Sequence, residues 1–275
     1  GAYSFKGGSY PGTGGSCGSS MAAGGTCSVV VTFAPTITGT LTGTFNIGFF
    51  DGAATQSSSR NVQGQGALPA SLAVASGPTY NYGTRATGSA TDHTFVVSNS
   101  GGVAATSVNV TGLGAPFMYK GGSYPGTGGN CGTSISPATS CNIVVTYSPI
   151  ATGVQNATMA VGYHDGVIVQ TANRAMTGTG AAPALIGITD GPTYNFGTLA
   201  AGGTADKTFT LNNSGGVDAT LVAGGGLSAP FGFKGGGYPG TGGTCTATLV
   251  PAATCTVVVT YAPAAPGNHS GTMSI

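Results

Sequence analysis

Six cysteines stand in three pairs, Cys17/Cys27, Cys131/Cys141 and Cys245/Cys255, each with nine residues between partners. Paired thiols at such spacing do one of two things: they bind a metal or they crosslink. Two thiolates are half of a tetrahedral zinc site, and a histidine or further cysteine must complete it. The three histidines, His93, His164 and His269, fall at unrelated places relative to the pairs, so no metal site is expected. Six cysteines allow several connectivities, and proximity along the chain selects the three local ones. Each local disulfide restrains its loop by about 2–3 kcal/mol of chain entropy, and an oxidising compartment follows.

Lys120 and Lys234 recur together with Asp92 and Asp206. A lysine held against an aspartate can condense to an amide crosslink when both are buried and a second acid shuttles the proton; otherwise the four form surface ion pairs. Hydrolysis needs paired carboxylates or a Ser-His-Asp set. The chain holds six Asp, no Glu and three scattered His, and no such set recurs. The expectation is no enzyme, no cofactor and no metal. A Walker loop needs its lysine after the glycines, at a helix start. In KGGSYPGTGG the lysine comes first and a strand follows, which argues against nucleotide binding.

What positions these residues is a repeat. Lys120 to Gly129 duplicates Lys6 to Gly15, and KGGGYPGTGG returns at Lys234 to Gly243. The lysines and both cysteine series step by 114 residues (120 − 6, 234 − 120). A unit of that size is a domain rather than a solenoid rung. Gly-Ala-Pro linkers at GQGALPA and GTGAAPA set the cuts at Gly66/Ala67 and Gly180/Ala181. Residues 1–66 then read as the C-terminal part of a repeat, 67–180 as one complete repeat, and 181–275 as a repeat lacking its last strand. The missing strands are expected from adjoining repeats of the same chain or from neighbouring chains.

Charged residues make up 5% of the chain and net charge is +1, against a usual charged share of about 25%. No basic footprint for nucleic acid exists, and no apolar run is long enough to span a bilayer. A hydrophobic fraction of 40% argues for folded structure. A surface of Ser, Thr, Asn and Gly suits packing against copies of the same protein.

Within 67–180 the expected strands are Ser71–Tyr82, Thr91–Ser98, Ala105–Val110, Pro116–Lys120, Cys141–Tyr147, one through Met159 and Tyr163, and Val167–Met176. Cys141, Ile143, Val145 and Tyr147 alternate with other residues, the mark of a half-buried sheet. Val97, Ile143, Val145, Met159 and Val161 are the expected core. Asp165-Gly166 predicts a tight hairpin. No window keeps a helical period. The fold class is all-β, a tandem of immunoglobulin-like sandwiches of 114-residue period.

The run GPTYNYGTRATGSATDHTFVVSNSGG (Gly77 to Gly102) resembles the opening of bacterial choice-of-anchor D repeats, a Hydin-type, major-sperm-protein-like branch of that fold. CNIVVTYSPIATGVQNATMAV (Cys141 to Val161) is similar to the family's later signature. The resemblance implies spacer or scaffold modules, secreted or on the bacterial cell surface, and supplies no catalytic residues.

Two readings of the recurrent Tyr-Pro-Gly stand. It is a turn with its tyrosine covering the sandwich end, or Lys6, Tyr10, Lys120, Tyr124, Lys234 and Tyr238 form a contact surface between modules or chains. Arg60 and Arg174 lie on the seventh strand, whose open edge is the expected surface for lateral assembly. The function expected is a structural segment of an extracellular fibre, stalk or matrix, with copies of itself and adjoining repeats as partners. The alternatives are adhesin modules for surface glycan or protein, or a passive spacer carrying another domain.

Overall fold

The structure, a computed structural model, describes residues 1–275 and is built from strands. The first segment contributes β1 (Tyr3–Phe5), β2 (Val31–Phe33), β3 (Gly39–Phe50) and β4 (Thr55–Gly66). These form two separate ladders, β1 with β2 and β3 with β4. Cys17 is the one buried hydrophobic residue among residues 1–66, so this segment has no core of its own.

The middle segment contributes β5 (Leu72–Val74), β6 (Thr79–Ala86), β7 (Thr91–Asn99), β8 (Thr106–Thr111), β9 (Phe117–Tyr119), β10 (Ser140–Tyr147), β11 (Gly153–His164) and β12 (Val169–Ala181). They form two four-stranded sheets, ordered β5-β7-β10-β9 and β6-β12-β11-β8. Apolar side chains from both sheets meet in one core: Phe95, Val97, Ile143 and Val145 from the first, Tyr82, Met159, Val161 and Met176 from the second. The five core positions expected from the alternation are all fully buried. Each large aliphatic side chain so placed contributes roughly 1.5–3 kcal/mol.

The last segment contributes β13 (Ile186–Ile188), β14 (Ala205–Asn213), β15 (Ala219–Thr220), β16 (Phe231–Phe233), β17 (Thr248–Leu249) and β18 (Thr254–Tyr261). One sheet, β13-β14-β18-β16, has the layout of β5-β7-β10-β9. Residues 193–200 repeat the pattern of β6 and form no strand. The cause is pairing: β6 takes its ladder from β12 alone, and residues 181–275 contain no such strand. No helix is long and apolar enough to cross a membrane.

Three expectations require correction. The strand expected over Ser71–Tyr82 is two strands in different sheets. Ser76 (φ 82°) and Gly77 (φ 72°) turn the chain from β5, which pairs with β7, to β6, which pairs with β12. The seventh strand is not an edge in the middle segment. β12 lies between β11, antiparallel, and β6, parallel, so both sides of its backbone are engaged. It also runs to Ala181, past the cut at Gly180. Finally, the Asp165-Gly166 turn spans four residues, because the last ladder pair is His164 with Val169.

Candidate functional site

The glycine-rich loop after β9 lies along β10 and takes up the backbone groups that the short β9 cannot reach. Lys120 N–H donates to the Val144 carbonyl (3.0 Å), Val144 N–H to Pro125 (2.8 Å), and Asn130 N–H to Asn142 (3.0 Å). The same bonds recur as Val30 to Pro11 (2.9 Å) and Val258 to Pro239 (2.8 Å). Close approach dictates the glycine at its centre. Gly126 has φ 91°, and a Cβ there would stand 2.2 Å from the Val144 carbonyl oxygen. Gly12 and Gly240 meet Val30 and Val258 in the same way. The loop also covers Val144, which is why a residue on the outer face of β10 is buried.

The disulfides close these loops. Cys17–Cys27, Cys131–Cys141 and Cys245–Cys255 are bonded with Cα separations of 4.8, 4.9 and 4.8 Å, and no cysteine is free. Three such bonds fit an oxidising, extracellular setting.

Each loop tyrosine is turned onto its own segment. Tyr124 packs edge-on against Tyr119 (5.7 Å) and donates its hydroxyl to the Gly132 carbonyl (3.1 Å); burial raises its phenol pKa above the ordinary value. Tyr238 packs likewise on Phe233. Tyr10 meets Phe5 edge-on but stays 43% exposed.

The lysines and aspartates are brought together. Lys120 Nζ lies 2.8 Å from Asp92 Oδ2, and Lys234 Nζ lies 2.8 Å from Asp206 Oδ2. Thr146 and Thr260 donate to the other carboxylate oxygens at 2.6 Å. Lysine and then threonine hydrogen bonds hold Asp92 below the usual carboxylate range. Amide condensation needs a neutral amine and a protonated acid. Side chains 45% and 39% exposed keep the opposite state, an ion pair in water. Lys6 makes no ion pair in the chain. Arg174 is not an outward contact residue: its Nη2 donates to the Val74 carbonyl between β12 and β5, and its Nε is buried without a partner. Arg60, at the matching place on β4, is exposed.

Asp51 and Asp165 cap their hairpins. Asp165 Oδ1 accepts from the Val167 and Ile168 amides (2.7 and 2.8 Å), and these bonds lower its pKa.

Two features escaped the sequence reading. Asn99 is buried and fully used: Oδ1 accepts from Ser71 and Gly101, and Nδ2 donates to Val103 and Ile135. Asn213 repeats all four bonds. The recurrent Asn-Ser-Gly-Gly is the sequence signal for this arrangement. The second feature is a slot at the β5–β6 crossover. His93 stacks on Tyr80 (3.6 Å between centroids) and its Nε2 meets Ser76 Oγ at 3.0 Å. Burial lowers the His93 pKa. A Ser–His contact begins a hydrolase set, but no acid hydrogen-bonds the other ring nitrogen here. At the positions 114 residues later the slot holds Asp190 and Lys207 at 3.1 Å, with Lys207 4.6 Å above the Tyr194 ring. A neutral stacked pair is replaced by an ion pair with a cation–π contact, which marks the slot as a packing solution.

The linkers are bonded on both sides. Thr87 N–H donates to the Ala181 carbonyl (2.8 Å), and Gly216 N–H donates to the next carbonyl, Ala182 (2.9 Å). At the earlier linker β4 ends at Gly66, and Gly102 N–H donates to Leu68 (3.0 Å). An open cleft beside the second linker is lined by Thr84, Arg85, Ser89, Gly216 and Asp218.

No protein-family model matches the chain, and no curated protein matches it in sequence. Among solved structures, the Vibrio cholerae VesB protease aligns at 16% identity and TM-score 0.32, over 40% of this chain and 32% of VesB. The chain thus spans about a third of that protease's length. A Porphyromonas gingivalis W83 protein of unknown function aligns at 8% identity and TM-score 0.32, over 70% of this chain and 83% of its own. A PapD-like domain of human CEP192 aligns at 14% identity and TM-score 0.31, over 42% and 87%. Likeness at this level identifies neither a family nor an activity.

Proposed function

We propose that the chain is a structural segment of an extracellular fibre, stalk or matrix, made of tandem immunoglobulin-like sandwiches of the choice-of-anchor D kind. The observation that carries this reading is the linker. Adjacent residues, Ala181 and Ala182, belong to the hydrogen-bond networks of successive segments, which leaves no free residue between them. A joint without slack suits a shaft better than a tether. The fate of the recurrent residues supports the same reading. Disulfides and loop glycines in all three segments, and Lys–Asp–Thr clusters and buried asparagines in the last two, are consumed in holding the units together.

Electron microscopy of native material bearing this sequence tests the proposal. Straight, regularly beaded filaments or stalks are expected. Isolated particles, or beads joined at random angles, would leave an adhesin module or passive spacer as the better account.

A further inference from the structure

Residues 193–200, TYNFGTLA, match TYNYGTRA of β6 but form no strand. The apolar face beside them is open. Ile188, Phe196 and Phe209 are only half-buried, whereas Val74, Tyr82 and Phe95 at the same places in the middle segment are buried. The last segment has a core of 8 buried residues against 19 in the middle one. At the other end of the chain β4 pairs with β3 alone, so one edge of its twelve residues takes no partner. Such an edge is a template for another strand.

These two open surfaces fit each other. β4 stands 114 residues before the body of β12 (169 − 55). In the middle segment β12 runs parallel to β6, Arg174 reaches the Val74 carbonyl, and Gly178 makes room for the Tyr147 ring. β4 carries Arg60 and Gly64 at those places, with Arg60 exposed, and the last segment carries Ile188 and Tyr261. β3 fits as well. Gly43 faces Tyr3 as Gly271 faces Phe231. β3 can therefore replace residues 267–275, which are held by a single bridge from Ser274 to Gly225 and the Tyr261–His269 hydrogen bond.

We propose that the β3–β4 hairpin of one copy completes the last segment of a second copy, with β4 parallel to residues 193–200. The register is that of β12 on β6, where Met176 stands beside Tyr80, so Val62 comes beside Tyr194 and Asn61 beside Thr193. The hairpin leaves behind only β1 and β2, three residues each. In strand addition the backbone bonds give affinity and the seated side chains give selectivity. Donor and acceptor lie in different segments, so the contact is head-to-tail and extends to an open row of copies. The inference rests on the shaft reading, because a stiff middle unit keeps a chain's β4 away from its own residues 193–200.

The test mixes full chains carrying Asn61→Cys with mass-tagged full chains carrying Thr193→Cys under mild oxidation; both positions are exposed. A disulfide needs Cα atoms within about 7 Å, so linked mixed dimers should exceed those of a mismatched mixture, Asn61→Cys with Thr220→Cys, by about tenfold. Equal linkage in the two mixtures overturns the proposal. The unmodified chain covers the case of a misfolded variant. Its mass in light scattering should at least double with rising concentration, while the amides of residues 193–200 gain deuterium protection. A parent that never associates, or that associates without this protection, also overturns the proposal. Straight native filaments in which residues 193–200 exchange freely would end this inference and leave the shaft reading intact. A disulfide closed within one chain by the Asn61→Cys, Thr193→Cys double variant would end both.

Discussion

At the scale of single residues, the loop glycines separate two costs that are usually mixed. Gly126 and Gly128 both hold left-handed backbone, φ 91° and 90°, but an added Cβ meets the Val144 carbonyl at the first and open space at the second. Gly128→Ala should lose only the backbone term, about 1–2 kcal/mol. Gly126→Ala must also push the loop off β10, so its loss should be clearly larger, with faster deuterium exchange at the Val144 amide. Equal losses in urea unfolding would show that the close approach does not matter. His93 offers a second measurement. Burial lowers its pKa, so the native state binds the proton less readily than the unfolded chain. Its contribution is therefore present above about pH 6.5 and is lost as pH falls through the folded pKa. An NMR titration should place His93 below the free value, and Ser76→Asp with His93→Lys, the pair that Asp190 and Lys207 form in the last segment, should abolish this acid sensitivity. A His93 pKa at or above the free value would refute the sign.

At the scale of elements, what was legible followed from local period. Ile143 and Val145 were assignable to the core because alternation fixes the face of a strand, and a one-residue slip would have exposed both. The partners of β12 were not legible. Its ladder with β6 joins residues such as Met176 and Tyr80, far apart in sequence and parallel, and no local signal announces such a pair. The break between β5 and β6 was hidden because one of its two left-handed residues is Ser76, a type that rarely adopts that conformation. The disulfides were legible from spacing, whereas the slot of Ser76 and His93 appeared only when the β5–β6 crossover was seen. The interior position of β12 has a direct consequence. Thr177 lies between Asn156 of β11 and Asn81 of β6, so Thr177→Pro removes a ladder donor inside the sheet and should cost about 1–3 kcal/mol and strip deuterium protection from β6 as well as β12. Tolerance of that proline would return β12 to an edge. Reduction of Cys131–Cys141 should act more locally, raising exchange over the loop while β11 and β12 stay protected.

At the scale of the whole molecule, the proposed shaft stands or falls with the stiffness of the linker between successive units. A flexible joint needs residues whose backbone groups are free to turn, and here the carbonyls of Ala181 and Ala182 are claimed from opposite sides. Pro183 stiffens the next step, and its carbonyl lies where a Cβ on Gly215 would stand at 2.1 Å, so the linker is seated against the turn after Asn213. Few dihedrals remain to absorb a bend, and a sparsely charged surface of net charge +1 supplies little long-range repulsion to straighten a loose joint. Any regularity must therefore come from these local bonds. Inserting Gly-Gly-Ser between Ala181 and Ala182 would keep both hydrogen-bond networks and add only slack. Small-angle scattering should then show a broader spread of end-to-end distances for the insertion variant than for the parent, with unchanged deuterium protection of β10 and β14. Identical scattering from the two would mean that the parent joint already swings freely, and the shaft would give way to a flexible stalk.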